Sequence, residues 1–463
     1  MDYSSANKEL WNVIIQLGLI SSAIMIAYFL RQKAAFIRKS LMPVAVLAGF
    51  MLLAVKYTGL VRIDTELMEV LVYHGIALGF IAMSLRVPPE SAKNKGQLTA
   101  LRSGAVIVSS YMVQGITGLL VTLFLGYTFM PRLFKASGLL LPMGYGQGPG
   151  QANNVGSTYE ALGFAGGRSF GLAVAAAGYL VACIFGVVIL NVWQKKGRVG
   201  TLRSSGGEKL GVDFFHGENE IPISDSIDKL SVQLAIVLPV YLLTFLAAKG
   251  ITSLISALSP AAAASLNPLI WGFNFIIGSA IAILVRVLFE KCRRAGITEK
   301  QYQNNYLLNR ISGFFFDLMI TAGIASIHIE DINGLWAPFL LMTVLGGAVT
   351  VLHLRFVCKR VYPDYFCEGF ISMFGMMTGT ISSGVLLLRE IDPDLSTPAA
   401  NNLITGSSVG ILFGAPVLLL VGLAPRSDAM CWLCLGLLAA YLLLLLIVIL
   451  RPFAGKKAAE KPQ

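Results

Sequence analysis

Long apolar segments alternate with short polar segments along almost the whole chain. Two clear examples are WNVIIQLGLISSAIMIAYFL at 11–30 and CWLCLGLLAAYLLLLLIVIL at 431–450. An α-helix needs about 20 apolar residues to cross the hydrocarbon core of a bilayer. Segments of this kind fill the sequence, and we therefore predict an all-α polytopic membrane protein without a soluble domain.

Eleven segments are predicted to cross the membrane. Their approximate positions are 11–30, 41–58, 67–85, 103–126, 169–193, 230–248, 267–285, 311–327, 335–354, 403–424 and 430–450. Lys and Arg are concentrated in the loops that follow every second crossing and in the C-terminal tail. Because cytoplasmic loops carry the excess of basic residues, this distribution predicts that the N-terminus lies outside and the C-terminus in the cytoplasm.

Two further apolar segments, 133–165 and 366–390, do not fit the alternation if they are counted as crossings. The basic loops around them require each segment to start and end on the same side of the membrane. Gly and Pro interrupt the first segment in GYGQGPGQANN (144–154), and Gly, Thr and Ser lie at the centre of the second. Non-helical backbone at membrane depth requires surrounding protein or a wet cavity. We therefore predict two re-entrant hairpins, each an interrupted helix.

The order of these elements predicts two inverted repeats. Residues 1–193 and residues 229–424 each contain four crossings, a hairpin and one more crossing, and they start from opposite sides of the membrane. Residues 194–228 are a predicted cytoplasmic linker. Residues 425–463 add an extra crossing and a basic tail.

One local similarity between the two halves accompanies this plan. GIALGFIA (75–82) and LMITAGIA (318–325) occupy the third element of each half, and we align Gly79 with Gly323, which places residues 75–82 against 319–326. Inverted repeats with interrupted helices near the membrane midplane are typical of secondary transporters. The predicted architecture therefore favours transport.

Composition supports the membrane prediction and argues against other classes. Hydrophobic residues make up 56% of the chain and charged residues 13%, whereas soluble domains contain about 25% charged residues. The net charge of +11 lies in the loops between crossings and does not indicate a nucleic-acid surface. The four His and six Cys residues are scattered, and no GxxxxGK[ST] motif occurs. These features disfavour an enzyme and a nucleotide-driven pump.

The two hairpin tips contain the predicted substrate-binding residues. Backbone N–H groups at the start of a half-helix attract an anion such as a carboxylate, whereas unwound carbonyls and hydroxyls suit Na+. Small residues also permit close helix packing, which is the alternative explanation for a single glycine. The predicted substrate-binding residues are Gly146, Gly148, Gly150, Gln151, Asn153 and Asn154 in the first hairpin, and Gly375, Thr378, Gly379, Thr380, Ser382 and Ser383 in the second.

The predicted Na+-binding residues are Asp317, Thr380, Asn401 and Asn402. Asp317 lies inside an apolar segment, where an ionisable side chain is costly and is by default a functional candidate. Its possible roles are a cation ligand, a proton carrier or the partner of Arg310 in an ion pair.

Three segments resemble the sodium:glutamate symporter family. They are GYGQGPGQA in the first hairpin, KRVYPDYFCEGFISMFGMMTGTISSGVLLL at 359–388 and RKSLMPVAVLAGFMLLAV at 38–55. The first tip differs from the family pattern GGHGTGAA by having Gln147 and Pro149 where His and Thr are expected. The second tip has MMT at 376–378 in place of a third glycine, and Asp317 and the last crossing are additional.

The resemblance implies a homodimer that takes up glutamate together with Na+ by alternating access, with one domain moving like an elevator. We expect it in a bacterial inner membrane, with Na+ as the only coupling ion or cofactor. The alternatives in the same class are a carrier of citrate, aspartate or another dicarboxylate, and a proton-coupled carrier that uses Asp317. An ion channel is the alternative of a different class, although channels usually present rings of one ligand type.

Overall fold

The computed structural model describes Ser4 and residues 7–87, 96–200, 223–297, 302–393 and 397–450. All regular secondary structure within these residues is helical. Eight of the described helices are long and apolar enough to cross a membrane. The prediction of an all-α polytopic membrane protein is therefore confirmed.

Residues up to 200 form eight α-helices. Their bounds are α1 Lys8–Lys33, α2 Ala35–Lys39, α3 Val44–Thr58, α4 Thr65–Ser84, α5 Gly96–Thr128, α6 Leu140–Tyr145, α7 Pro149–Ala161 and α8 Gly167–Lys195. A 3-10 helix, Lys135–Leu139, leads into α6. The polar residue before a helix often starts it, as at Asp64, whose carboxylate accepts a hydrogen bond from the Leu67 N–H (3.1 Å).

Residues from 223 onward form nine α-helices. Their bounds are α9 Ile223–Leu258, α10 Pro260–Gly272, α11 Asn274–Arg294, α12 Asn305–Ala325, α13 Trp336–Val361, α14 Phe366–Met377, α15 Ile381–Leu388, α16 Ala399–Leu423 and α17 Asp428–Leu450. The linker prediction for 194–228 falls mostly on residues 201–222, which lie outside the described residues.

The predicted crossing 267–285 is not one continuous helix. α10 ends at Gly272 and α11 starts at Asn274. The Gly272 carbonyl accepts a hydrogen bond from the Asn154 side chain (2.6 Å), and the Ile276 N–H donates to the Phe273 carbonyl instead (2.9 Å). A tertiary hydrogen bond therefore replaces a helical one at this break, which an apolar run does not reveal.

The centre of the bundle is the crossing of α4 with α12, where glycines permit close approach. A Cβ atom on Gly75 would lie 3.2 Å from the Met319 Cβ, and one on Gly79 would lie 2.5 Å from the Phe316 ring. Around this pair, α3 packs on α12 and α11 packs on α4, while α1 packs on α3 and α9 on α11. On the other side of the molecule, α5 packs against α13, α16 and α17.

Both predicted hairpins are pairs of short helices that turn back on themselves. The first is α6 and α7, and its two ends lie side by side because the rings of Phe134 and Phe164 stack with centroids 5.1 Å apart. The second is α14 and α15, which are in close contact: a Cβ atom on Gly375 would lie 2.8 Å from the Gly384 Cα. Each helix pair is interrupted in the stretch that the sequence indicated.

Candidate functional site

The breaks of the two hairpins meet inside the bundle. Gly148 directly precedes α7 and has a left-handed φ of 87°. A Cβ atom on Gly148 would lie 3.5 Å from the Thr380 Cγ2 and 3.8 Å from the Gly379 carbonyl oxygen. Gly379 and Thr380 form the break between α14 and α15. The two tips, predicted separately, therefore share one place in the structure.

Each break is followed by a helix whose N-terminus has no side-chain cap. α7 begins after Gly148 and α15 begins after Thr380, and neither residue accepts a hydrogen bond from its helix through a side chain. The first N–H groups of a helix have no partner within the helix, and the helix dipole adds positive potential there. Two N-termini beside each other can bind a carboxylate without a Lys or Arg side chain.

Carbonyl oxygens from the end of α14 lie beside these N-termini. The Met377 carbonyl accepts a hydrogen bond from the Gln114 Nε2 (2.8 Å), which also donates to the Thr350 hydroxyl (3.0 Å). A Cβ atom on Gly178 would lie 2.6 Å from the Thr378 carbonyl oxygen, so α8 packs directly on the break. Helix C-termini favour a positive charge, and oxygen ligands suit Na+.

A cavity of about 100 Å³ lies between the two tips. Five residues predicted to bind substrate line it, namely Gly146, Gln151, Gly379, Thr380 and Ser382. Further polar lining comes from Tyr111, Gln147 and Ser407. The remaining wall is apolar and comes mainly from Phe80, Phe275, Ile276, Phe316, Met319 and Met376.

Several buried polar atoms around the tips have no hydrogen-bond partner among the described residues. They include Gln114 Oε1, Gln151 Oε1, Asn153 Oδ1 and Ser383 Oγ. The Tyr179 hydroxyl lies beside the Thr380 hydroxyl, and neither has another partner in the described part of the chain. An unsatisfied buried polar group costs about 1–3 kcal/mol, so this concentration is typical of a site that a polar ligand completes.

The other predicted tip residues make structural contacts. Gly150 packs against Ile76, and a Cβ atom there would lie 2.5 Å from the Ile76 Cδ1. The Thr378 hydroxyl donates to the Phe374 carbonyl of its own helix (2.8 Å). Together with the Asn154 contact to Gly272 and the Gly375 contact to Gly384, these interactions hold the two tips in position.

The four residues predicted to bind Na+ do not form one cluster. The Asn402 side chain donates to the Tyr365 hydroxyl (2.8 Å), and Asn401 is exposed. Tyr365 immediately precedes α14, whose 12 residues separate it from the tip, a distance of about 18 Å along the helix. Asn401 and Asn402 lie in the first turn of α16, whereas Ser407 and Gly410 further along the same helix line the cavity.

Asp317 lies closer to the tips than the two asparagines. Its neighbours Phe316 and Met319 line the cavity, and its carboxylate is within electrostatic range of the Tyr179 hydroxyl. The side chain is exposed, and no ion pair joins it to Arg310 within the described residues. The carboxylate therefore lies near the tips but does not line the cavity.

The sequence did not single out Tyr111, Gln114, Tyr179 and Ser407. Each is one of several polar residues in a mainly apolar helix, as in SSYMVQGITGLL at 109–120. Such positions are a weak signal, because the helix face that meets the tips cannot be known before the helices are packed.

No protein-family model matches this chain, and no curated protein sequence matches it. The similarity to sodium:glutamate symporters therefore remains a resemblance of the three segments described above.

Proposed function

We propose that this protein is a Na+-coupled secondary transporter that moves a small carboxylate across a membrane by alternating access. The observation that carries this proposal is the proximity of Gly148 to Thr380, which brings two helix breaks from different halves of the chain to one cavity. Interrupted helices use their positive N-termini and their unwound carbonyls to hold anions and cations near the midplane of transporters. The paired tips offer both kinds of group.

The contacts between α4 and α12 support the inverted repeats on which this mechanism rests. The alignment of Gly79 with Gly323 also aligns Val72 with Phe316 and Gly75 with Met319. A Cβ atom on Gly79 would meet Phe316, and one on Gly323 would lie 3.5 Å from the Val72 Cγ2. A twofold rotation that exchanges the two halves would convert the first of these contacts into the second. It would convert the approach of Gly75 to Met319 into itself, because these two residues are aligned with each other. The reciprocity is what a twofold axis through this crossing requires.

A second reciprocal pair lies at the ends of the same helices. Lys56 of α3 donates to the Ile327 carbonyl just beyond α12 (3.0 Å). Arg286 of α11 donates to the Arg86 carbonyl just beyond α4 (3.0 Å). In each case a cation from the helix beside the crossing caps the C-terminus of a crossing helix, where positive charge is favourable.

The finer elements of the proposal come from the sequence resemblance. They are glutamate as the substrate, Na+ as the coupling ion, a homodimer, an elevator-like movement and a bacterial inner membrane. The uncapped N-termini of α7 and α15 support carboxylate binding, and the carbonyls of the second tip with the Thr380 hydroxyl support a cation. The exposed Asp317 is the observation that favours H+ as the alternative coupling ion.

Counterflow in proteoliposomes tests the proposal. Vesicles containing the purified protein are preloaded with a carboxylate, diluted into the labelled compound, and compared with and without Na+ and with and without a pH gradient. We expect exchange that requires Na+. Exchange that follows the pH gradient alone would assign the coupling to H+, and ion conductance without carboxylate exchange would support a channel.

A further inference from the structure

We propose that the substrate is a monocarboxylate with an aliphatic body, such as leucine or its deaminated analogue 4-methylpentanoate, and not glutamate or another dicarboxylate. This inference rests on the proposed carboxylate site at the two tips and specifies what the remainder of the cavity recognises. It departs from the substrate that the sequence resemblance implies.

The cavity lining contains polar residues from the two tips and a separate aromatic cluster. Thr380, Ser382 and Gln151 lie at the starts of α15 and α7, and Tyr111, Gln147 and Ser407 add further polar groups. In the cluster, the Phe80 ring centroid lies 5.2 Å from that of Phe275 and 5.5 Å from that of Phe316, and Ile276 follows Phe275 in the wall. None of the described lining residues is Lys, Arg or His. One carboxylate can therefore be satisfied, and the part of the solute beyond it faces hydrocarbon.

A second carboxylate would have no partner in this wall. A buried ionised carboxylate is strongly unfavourable unless it is paired and hydrogen-bonded. The absence of Lys, Arg and His from the described lining residues therefore selects against glutamate, citrate and other dicarboxylates.

An aliphatic body gains affinity from the same wall. Each methylene removed from water strengthens binding by about fourfold. Along the series 2-aminobutyrate, norvaline and norleucine, we therefore expect affinity to rise by about this factor at each step until the cavity is full. Glutamine, which is neutral but polar at the far end, should fall between leucine and glutamate.

The experiment compares leucine, 4-methylpentanoate, glutamine, glutamate and glutarate on the purified full chain in the presence of Na+. Binding is measured by thermal shift and transport by counterflow in proteoliposomes. We expect leucine or 4-methylpentanoate to bind at least tenfold more tightly than glutamate or glutarate. Glutamate binding as tight as leucine binding would overturn the inference, and so would an absence of binding for every compound.

The two assays separate this inference from the proposed function. Preferential binding of the aliphatic compounds without counterflow would support the substrate-binding inference and count against transport. Counterflow that prefers glutamate would support transport and overturn the inference.

A pair of neighbouring isoleucines provides a matched variant and control. Ile276 is half-buried and lines the cavity, whereas Ile277 is half-buried in the same helix and does not. Ile276→Ala should weaken leucine binding by about tenfold with little effect on glutamate, because it removes only apolar contact from the cavity wall. Ile277→Ala should change neither. If Ile276→Ala weakened the binding of leucine and of glutamate equally, the inference that the apolar wall recognises an aliphatic side chain would be overturned.

Discussion

Gly148 has a positive φ and lies next to the break of the second hairpin. Its φ of 87° is disfavoured for any residue with a Cβ atom, and its Cα faces Thr380 and the Gly379 carbonyl. A methyl group there would be in ordinary contact with the Thr380 Cγ2 at 3.5 Å. The main effects of an added side chain are thus backbone strain of about 1–3 kcal/mol and loss of space between the tips.

We expect Gly148→Ala to abolish or strongly weaken substrate binding while lowering stability only modestly. Gly163→Ala is the matched control, because Gly163 also has a positive φ of 99° but has no atom within 4 Å of a Cβ. Both variants should lose thermal stability, since both place a Cβ atom on a backbone with positive φ. Binding and melting temperature are measured on the same purified samples. Equal substrate binding by the two variants would show that Gly148 has only a structural role.

Asp317 follows Phe316, which lines the cavity. If it binds the coupling ion, Asp317→Asn should raise the Na+ concentration for half-maximal uptake by tenfold or more, because an amide lacks the charge that attracts the cation. Asp428→Asn is the control, since Asp428 pairs with Lys135 (2.8 Å) at the start of α17 and away from the cavity. Unchanged Na+ dependence combined with loss of a pH-gradient response would instead assign Asp317 to proton coupling.

At the scale of elements, the first hairpin brings its two ends together. Phe134 and Phe164 stack, and Arg132 and Ala165 beside them are exposed. Gly166 is unsuitable for a probe, because it has a φ of 74° and its Cβ would lie 2.7 Å from the Asp331 Cβ. Arg132 and Ala165 are therefore the positions that report whether the segment between them re-enters the membrane.

We predict that Arg132→Cys and Ala165→Cys, made singly in a cysteine-free background, both react with an impermeant thiol reagent added outside. A re-entrant hairpin starts and ends on one side, whereas a membrane crossing would separate the two positions. Labelling is followed on intact cells and repeated after permeabilisation. Reaction of the two positions from opposite sides would exclude the hairpin.

At the scale of the whole molecule, loops predicted on the same side of the membrane contact each other. At one end, the Tyr57 hydroxyl donates to Glu330 (2.7 Å), and the Ser169 hydroxyl donates to Asp331 (2.7 Å). At the other end, the Asn305 side chain donates to the Val87 carbonyl (2.7 Å). The positive-inside pattern assigns the first end to the outside and the second to the cytoplasm.

This assignment predicts opposite accessibility for two exposed hydrophobic residues. Leu60 follows α3 and is 81% exposed, and Ile297 follows α11 and is 74% exposed. Leu60→Cys should react with the impermeant reagent in intact cells, and Ile297→Cys only after permeabilisation. The reverse pattern would invert the orientation of the whole chain, and labelling of both from outside would contradict the crossing count.

The sequence by itself determined the membrane class, most helix positions and the two interrupted hairpins. These features are local: apolar length produces spanning helices, and Gly and Pro in GYGQGPGQANN or Gly and Thr at 378–380 interrupt them. The similarity of GIALGFIA to LMITAGIA suggested pairing Gly79 with Gly323, although it could neither fix that register nor reveal that the two segments cross each other.

Only the tertiary structure decided which side chains meet at the tips. It brought Tyr179 and Gln114 to the second break and directed the Asn402 side chain to the Tyr365 hydroxyl. It also placed Phe80, Phe275 and Phe316 in the cavity wall. A helix in a bilayer is apolar on most faces, so its sequence does not distinguish the face toward lipid from the face toward a site. The register between packed helices makes that distinction, and it depends on contacts between residues far apart in the chain.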